Sequence, residues 1–352
     1  MKLLFIADLK DGQQVSSLFL VSSKEIRTSA KSGRSWLQLE LSDRTGRIDG
    51  KMWDRFEDAG ALFGCDDIVK VQGRAKMYND QIELTVEQVL PAQEADYDLA
   101  DFFPHTKEDV EKLYAKLRDA VAKAGNPWIK RLLTSVVEDP AVAPKLKRAP
   151  AAMTMHHAFL GGLLEHTVSV IGLMQGVADH YPELDRDLLL AGIVLHDIGK
   201  TEELSYARGF GYTTEGQLIG HIALGLGLVR RKIDAIPDFP RPLAVLIEHM
   251  ILSHHGSYEF GSPKLPQCRE AVALHYLDDL DSKMGAMRAT LEGVGGEGEW
   301  TERNLSLRRN LLRKDDFLSG GPAKKPAATS AIAPTAAPAA AVPVQGSFTV
   351  KK

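Results

Sequence analysis

Between about Ser16 and Leu90 the apolar positions recur every second residue, with Leu37, Leu39 and Leu41 in one phase and Trp36, Gln38 and Glu40 in the other. Alternation of that kind sends successive side chains to opposite faces of a pleated strand. Further runs at Ser17–Val21, Ile48–Trp53, Ile68–Ala75 and Gln81–Val89 predict four more strands, separated by turn signals at Ser32-Gly33, Thr45-Gly46 and Asn79-Asp80. Five strands, with a short helical stretch at Phe56–Phe63 between the third and fourth, fit a small all-β Greek-key barrel of the OB type.

Beyond Pro91 the pattern changes. Asp96 to Pro104 is acidic and aromatic and reads as a linker, after which Val110, Leu113, Leu117 and Val121 fall at helical spacing within Lys107–Ala124. Helical patterning continues through Trp128–Val137, Leu160–Tyr181, Asp187–His196, Gly220–Ala235, Pro242–His254 and Cys268–Met287, which makes at least seven helices. Past Phe317, the stretch Gly320 to Val344 is dominated by Ala and Pro without periodicity and predicts a disordered tail, mildly basic through Lys324, Lys325, Lys351 and Lys352. The expected organisation is a multidomain chain. It has an OB-type barrel over 1–92, linker and accessory helices over 93–150, an all-α domain over 151–316 and the tail over 317–352.

Composition narrows the function classes. A net charge of −4 and a pI near 6.3 give no global basic field, so contact with nucleic acid has to come from a local patch. Cys65 and Cys268 are the only cysteines and show no disulfide or metal spacing, which favours a reducing, cytoplasmic compartment. The apolar run Leu3 to Ala7 is broken by Asp8 and is too short for a signal peptide or a membrane span, so no membrane partner is expected.

Candidate chemistry lies in the helical part, at His196-Asp197 in the string Leu195-His196-Asp197-Ile198-Gly199-Lys200. His166 stands upstream, and His221, His254, His255 and Asp278 stand downstream, each about one helical hairpin from the next. A divalent cation with hydrolytic work to do needs three or more fixed nitrogen or oxygen ligands and an open position, and helix ends projecting inward can supply them. Imidazole and carboxylate without thiolate suit manganese, iron, nickel, cobalt or zinc, and magnesium is a poorer match. Lys200 is placed to meet a phosphate oxygen as a point charge. His105, His180 and His249 fall outside the set and read as ordinary core or surface histidines.

The order His166, His196-Asp197, Asp278 resembles the HD-domain superfamily of metal-dependent phosphohydrolases. Three longer strings narrow the resemblance: His156-His157-Ala158-Phe159-Leu160-Gly161-Gly162-Leu163-Leu164-Glu165-His166-Thr167, then His254-His255-Gly256 leading to Phe260-Gly261-Ser262-Pro263, and His275-Tyr276-Leu277-Asp278-Asp279-Leu280-Asp281. With the barrel they look like the YhaM-type 3′→5′ exoribonucleases, over roughly residues 15 to 315. The resemblance implies that His166, His196, Asp197 and Asp278 hold one ion, that His221, His254 and His255 add a second, that Asp197 bridges the two, and that the metal is manganese. Asp278 and Asp281 lie three apart and can share one helix face, with Asp278 favoured as the ligand.

OB barrels hold single strands with positive charge and exposed rings on which bases stack. Trp36 and Trp53 occupy phases opposite to Leu37 and Met52, the first turn region carries Lys24, Arg27, Lys31 and Arg34, and Tyr78 stands near the Asn79-Asp80 turn. The alternative is that the tryptophans cap the barrel core and the basic residues are simply solvated. Taken together, the expectation is a metal-dependent hydrolase of single-stranded RNA, with single-stranded DNA as a further substrate. Two rivals stand beside it. One is a nucleotide or cyclic-dinucleotide phosphohydrolase, whose Gly-Tyr-Pro signature is absent after His254-His255; the other is an RNA-binding protein with a structural metal. Asp109–Ala124 and Glu302–Leu312, both read as helices, are candidates for subunit contacts in a homo-oligomer or for packing on their own domain.

Overall fold

The computed structural model describes residues 2 and 4–320, apart from 30–31, 80, 104, 153–158, 206–210, 293–297 and 305–306. Lys31, Asp80, His156-His157 and the expected tail from residue 321 onward lie outside the described residues. The chain divides into one compact unit over 1–289 and a second over 290–352.

Strands β1 (Gln14–Thr28), β2 (Ser35–Asp43), β3 (Gly46–Met52), β4 (Ile68–Tyr78) and β5 (Gln81–Pro91) close into a barrel of order β1-β2-β3-β5-β4, with helix α1 (Phe56–Gly60) between β3 and β4. All neighbours are antiparallel except β3 and β5. The alternation is borne out: Leu37, Leu39 and Leu41 are buried with Phe19, Val21, Val71, Leu84 and Val86 inside the barrel. Strand β1 extends beyond the expected Ser17–Val21 at both ends, most of all past Val21. A bulge between Val21 and Ser23 bends it from its pairing with β4 to its pairing with β2, and the phase shift there hides its second half from a period-two reading.

The expected linker is packed. Leu99, Phe102 and Phe103 bury themselves with Leu20 and Ile68 of the barrel and Leu160 ahead of the helical domain. Helices α2 (Val110–Ala122), α3 (Pro127–Val137), α4 (Ala143–Arg148), α5 (Gly162–His180), α6 (Arg186–Leu195), α7 (Lys200–Glu203), α8 (Thr214–Ile219), α9 (His221–Asp234), α10 (Arg241–Ser253) and α11 (Arg269–Glu292) follow, with short strands β6 (Leu204–Ser205) and β7 (Gly211–Tyr212) after α7. Local chemistry sets their starts. Asp109, Asn126 and Asp185 each accept two backbone N–H groups of the first turn, satisfying donors that have no helical partner.

Every residue from Leu188 to Leu195 in α6 is buried, which places this helix at the centre of the core with α3, α5 and α10 around it. Helix α2 packs Leu113, Leu117 and Val121 into the same core. No helix among the described residues is long and apolar enough to cross a membrane.

In the second unit the expected helix over Glu302–Leu312 is absent, and bridges Trp300 to Leu312 and Asn304 to Arg309 pair the chain with itself before helix α12 (Lys314–Leu318). The Thr301 hydroxyl accepts Leu311 N–H and the Asn304 side chain accepts Leu307 N–H, while Arg308 has φ of 53°. Those side-chain bonds compete with helical ones, and the left-handed residue breaks a helix outright.

Candidate metal centre

Five helices deliver the expected ligands to one buried place. His166 projects from the second turn of α5, His196 and Asp197 follow the last residue of α6, His221 opens α9, His254 and His255 follow α10, and Asp278 lies in α11. The helix ends reach this place because glycine lets elements touch: a Cβ on Gly199 would stand 2.0 Å from the His221 carbonyl oxygen and 2.5 Å from Gly225 N.

Each of the five imidazoles is fixed through Nδ1. His196 Nδ1 donates to the Ile193 carbonyl and His254 Nδ1 to the Ile251 carbonyl, both at 2.8 Å. In each case a carbonyl of the preceding helix's last turn, otherwise without a helical donor, orients the ring that follows it. His255 Nδ1 meets the Phe260 carbonyl at 2.8 Å, His221 Nδ1 meets Glu203 Oε1 at 3.3 Å, and His166 Nδ1 meets Asp281 Oδ2 at 2.8 Å. A proton held on Nδ1 leaves a lone pair on Nε2.

The Nε2 atoms of His196, His221 and His254, together with Asp197 Oδ1, are buried and have no hydrogen-bond partner. Orphaned acceptors in a core are costly unless a cation takes them up. Two donor groups emerge, His166, His196 and Asp197 in one and His221, His254 and His255 in the other, with the ligand atoms of each within 4.8 Å of one another. Asp197 stands between them. Its Oδ2 lies 3.4 Å from His196 Nε2, and its Oδ1 lies 3.5 Å from His221 Nε2 and 3.8 Å from His254 Nε2. Asp278 Oδ1 faces His166 Nε2 at 3.2 Å and His196 Nε2 at 3.9 Å. The residues present fit a divalent cation by donor type, tautomer and burial.

Electrostatics agree. Burial alone would raise the Asp197 carboxyl, but Lys200 and His196 beside it hold it well below the usual carboxylate range. Burial would likewise raise Asp278, yet its hydrogen bond to His166 and the charge of His196 bring it far down. His166 is the exception: burial lowers it but Asp278 and Asp281 raise it more, to about 9, which favours the protonated ring while Asp278 faces its Nε2. His254 is lowered by burial and by His196, and His255 by burial and by His221, so both favour the neutral form that donates a lone pair.

Lys200 Nζ donates to Asp197 Oδ2 at 2.6 Å and is mostly buried, so it holds the central carboxylate. Asp281 stands behind His166, where it also accepts the Ser169 hydroxyl at 2.5 Å; of the two aspartates only Asp278 faces the other ligands. Sequence reasoning missed Glu203, which orients His221 through both its backbone N–H and its ring. A carboxylate on a short helix carries no spacing signal that separates it from a solvated one.

The HD domain family matches residues 163–283, and the OB-fold nucleic acid binding domain family matches residues 20–92. The 3′-5′ exoribonuclease YhaM of Bacillus velezensis is 36% identical over 307 residues, covering 87% of this chain and 96% of that protein. Its namesake in Bacillus subtilis is 35% identical over the same shares. The chain belongs to the YhaM family. HD domains bind divalent metals, and in this YhaM-family chain the donor set just described fits one.

The expected nucleic-acid residues of this YhaM-family barrel separate into four groups. Trp36 and Trp53 are half-buried and pack on each other, with ring centroids 5.0 Å apart, and the Arg34 guanidinium stands 5.1 Å from the Trp53 ring centre while also pairing with Asp54. Tyr78 is 58% exposed with the Lys51 ammonium 5.1 Å from its ring centre. Arg27 is exposed and pairs with Glu25. Lys24 plays another part, because its Nζ donates to the carbonyls of Gly60 and Phe63 and so closes the end of α1.

Proposed function

We propose that this chain is a divalent-metal-dependent exoribonuclease that shortens single-stranded RNA from its 3′ end. The observation that carries the proposal is the set of buried imidazoles whose Nε2 atoms converge around Asp197, in a chain that also contains a closed OB barrel. The direction of attack and the choice of RNA rest on the relatives, which are named 3′-5′ exoribonucleases.

The helical domain's residues divide the work. His166, His196, Asp197 and Asp278 would hold one ion and His221, His254 and His255 a second, with Asp197 between them; the soft-to-intermediate nitrogen donors favour manganese over magnesium. Bound there, such ions would draw charge from the phosphoryl oxygens and make water nucleophilic at neutral pH. Lys200 fixes Asp197 through Oδ2, which leaves Oδ1 directed at His221 and His254. Asp281 and Glu203 lock the rings of His166 and His221 from behind. Burial of His166, His196, Asp197 and His254 keeps bulk water from competing with their contacts.

The barrel would capture the strand on the face that carries Trp36, Trp53, Arg34, Tyr78 and Lys51, where stacking and phosphate contact give little sequence preference. Both cysteines are unpaired, in keeping with a cytoplasmic site of action. The test is an assay of purified protein with manganese on a 5′-labelled RNA strand, the matching DNA strand, a duplex, a nucleoside triphosphate and a cyclic dinucleotide. A ladder shortening from the 3′ end, lost on chelation and in Asp197→Ala, is expected. Turnover of the small nucleotides with intact RNA would replace this function by the small-molecule one.

A further inference from the structure

The loop after the second histidine pair, together with the adjoining turn of α11, carries three rings that the core does not take up. Tyr258 is 62% exposed, Phe260 69% and Tyr276 66%. The backbone beneath them is firmly held. Gly256 and Gly261 adopt φ of 77° and 80°, a region that suits glycine. The buried Ser262 hydroxyl donates toward the carbonyls of Leu252 at 3.2 Å and Lys264 at 2.7 Å. A Cβ on Gly256 would lie 2.3 Å from the His275 ring, whose Nδ1 donates to the His254 carbonyl at 2.9 Å.

Phe260 is tied through its backbone to a metal-facing histidine, whereas Tyr276 is tied to His275, which stands outside the donor set. Phe260 gives its carbonyl to His255 Nδ1, and Tyr258 lies in the same tight turn. Tyr276 follows His275 and packs against it, with ring centroids 5.0 Å apart. Lys264, exposed at the end of the loop, adds a cation.

Solvent-facing aromatic rings on a firmly held backbone, next to a phosphodiester-cleaving centre, match one chemistry, the flat face of a nucleobase. Stacking tolerates every base, because each has a π-face, and it costs little when the ring is already held in place. We infer that Tyr258 and Phe260 form a second nucleic-acid subsite, distinct from the barrel, that stacks the terminal bases of an RNA strand beside the metal centre. The inference rests on the exoribonuclease function proposed above. It assigns the barrel to capture of the strand and the loop to seating of its end.

The test uses the full chain with manganese and an oligoribonucleotide carrying 2-aminopurine at its 3′ end, with a terminal phosphorothioate linkage to slow cleavage. A second oligonucleotide carries the probe at its 5′ end. Binding should quench the 3′ probe, and Tyr258→Ala with Phe260→Ala should remove most of that quenching and weaken binding about 10-fold. The 5′ probe and the metal content should stay unchanged, and Phe260→Trp should retain the quench. An unaltered 3′ signal in the double variant, equal loss at both ends, or loss of bound metal would each overturn the subsite. If quenching behaves as expected but the wild-type chain never shortens RNA, the subsite stands and the exoribonuclease function fails. Shortening without ring-dependent quenching has the opposite meaning.

Discussion

Replacing Asp281 with asparagine isolates the charge behind His166. The carboxylate is buried, accepts His166 Nδ1 through Oδ2 at 2.8 Å and accepts the Ser169 hydroxyl through Oδ1 at 2.5 Å. Asparagine keeps an oxygen for Nδ1, and its amide can donate to Ser169 once that hydroxyl turns around, so shape and bond count survive. What disappears is the negative charge that makes the imidazole a better donor. Hydrogen bonds to charged partners are worth about 1.5–3 kcal/mol and neutral ones about 0.5–1.5 kcal/mol, so the loss is about 1–1.5 kcal/mol, or roughly tenfold in affinity. Supporting carboxylates behind metal-binding histidines typically contribute about 10- to 100-fold. Titration calorimetry of manganese into metal-free Asp281→Asn should therefore give a Kd at least about tenfold weaker, with thermal unfolding of the metal-free protein close to wild type. A Kd within about twofold of wild type, measured with the same precision, would refute the positioning role assigned to Asp281.

Three further outcomes are expected. Gly199→Ala drives a Cβ to within 2.0 Å of the His221 backbone, so it should cost about 1–3 kcal/mol in chemical denaturation and reduce metal uptake through His221; a wild-type midpoint would contradict the close approach. Hydrogen bonding to Arg230 at 2.8 Å, supported by Arg241, holds the Glu248 carboxyl below its ordinary 4.5, so its stabilisation is present above that pH and lost as pH falls through the lowered value. Glu248→Gln should be less stable at neutral pH and show a shallower decline into acid, and a decline as steep as wild type would argue against the pair. Trp36→Ala combined with Trp53→Ala should weaken binding to oligoribonucleotides by about tenfold or more in fluorescence anisotropy, and unchanged affinity would move the capture surface elsewhere on the barrel.

Patterning and composition made both architectures legible. The period-two run through Leu37, Leu39 and Leu41 and the helical spacing of Val110, Leu113, Leu117 and Val121 reflect burial of one face, a local property that each segment carries by itself. The candidate ligand positions were legible for a similar reason, because His166, His196-Asp197, His221, His254-His255 and Asp278 stand about one helical hairpin apart. The length of β1 was not, since a bulge displaced its phase, and neither was the hairpin that replaces the expected helix at Glu302–Leu312, since side-chain bonds from Thr301 and Asn304 outweigh apolar spacing there.

Roles, in contrast to ligand types, depended on the tertiary structure. Asp278 and Asp281 share one helix and one chemistry, and only the position of His166 makes one face the other ligands and the other stand behind the ring. Lys200 and Lys24 look from sequence like cations offered to phosphate, yet one is bound to Asp197 and the other to the end of α1. Glu203 gained a role only when α9 brought His221 against it. Sequence by itself fixes which side chains can be ligands and which faces are buried, because those follow from chemistry and period. Which atom meets which depends on packing between helices distant in the chain, and no local pattern records it.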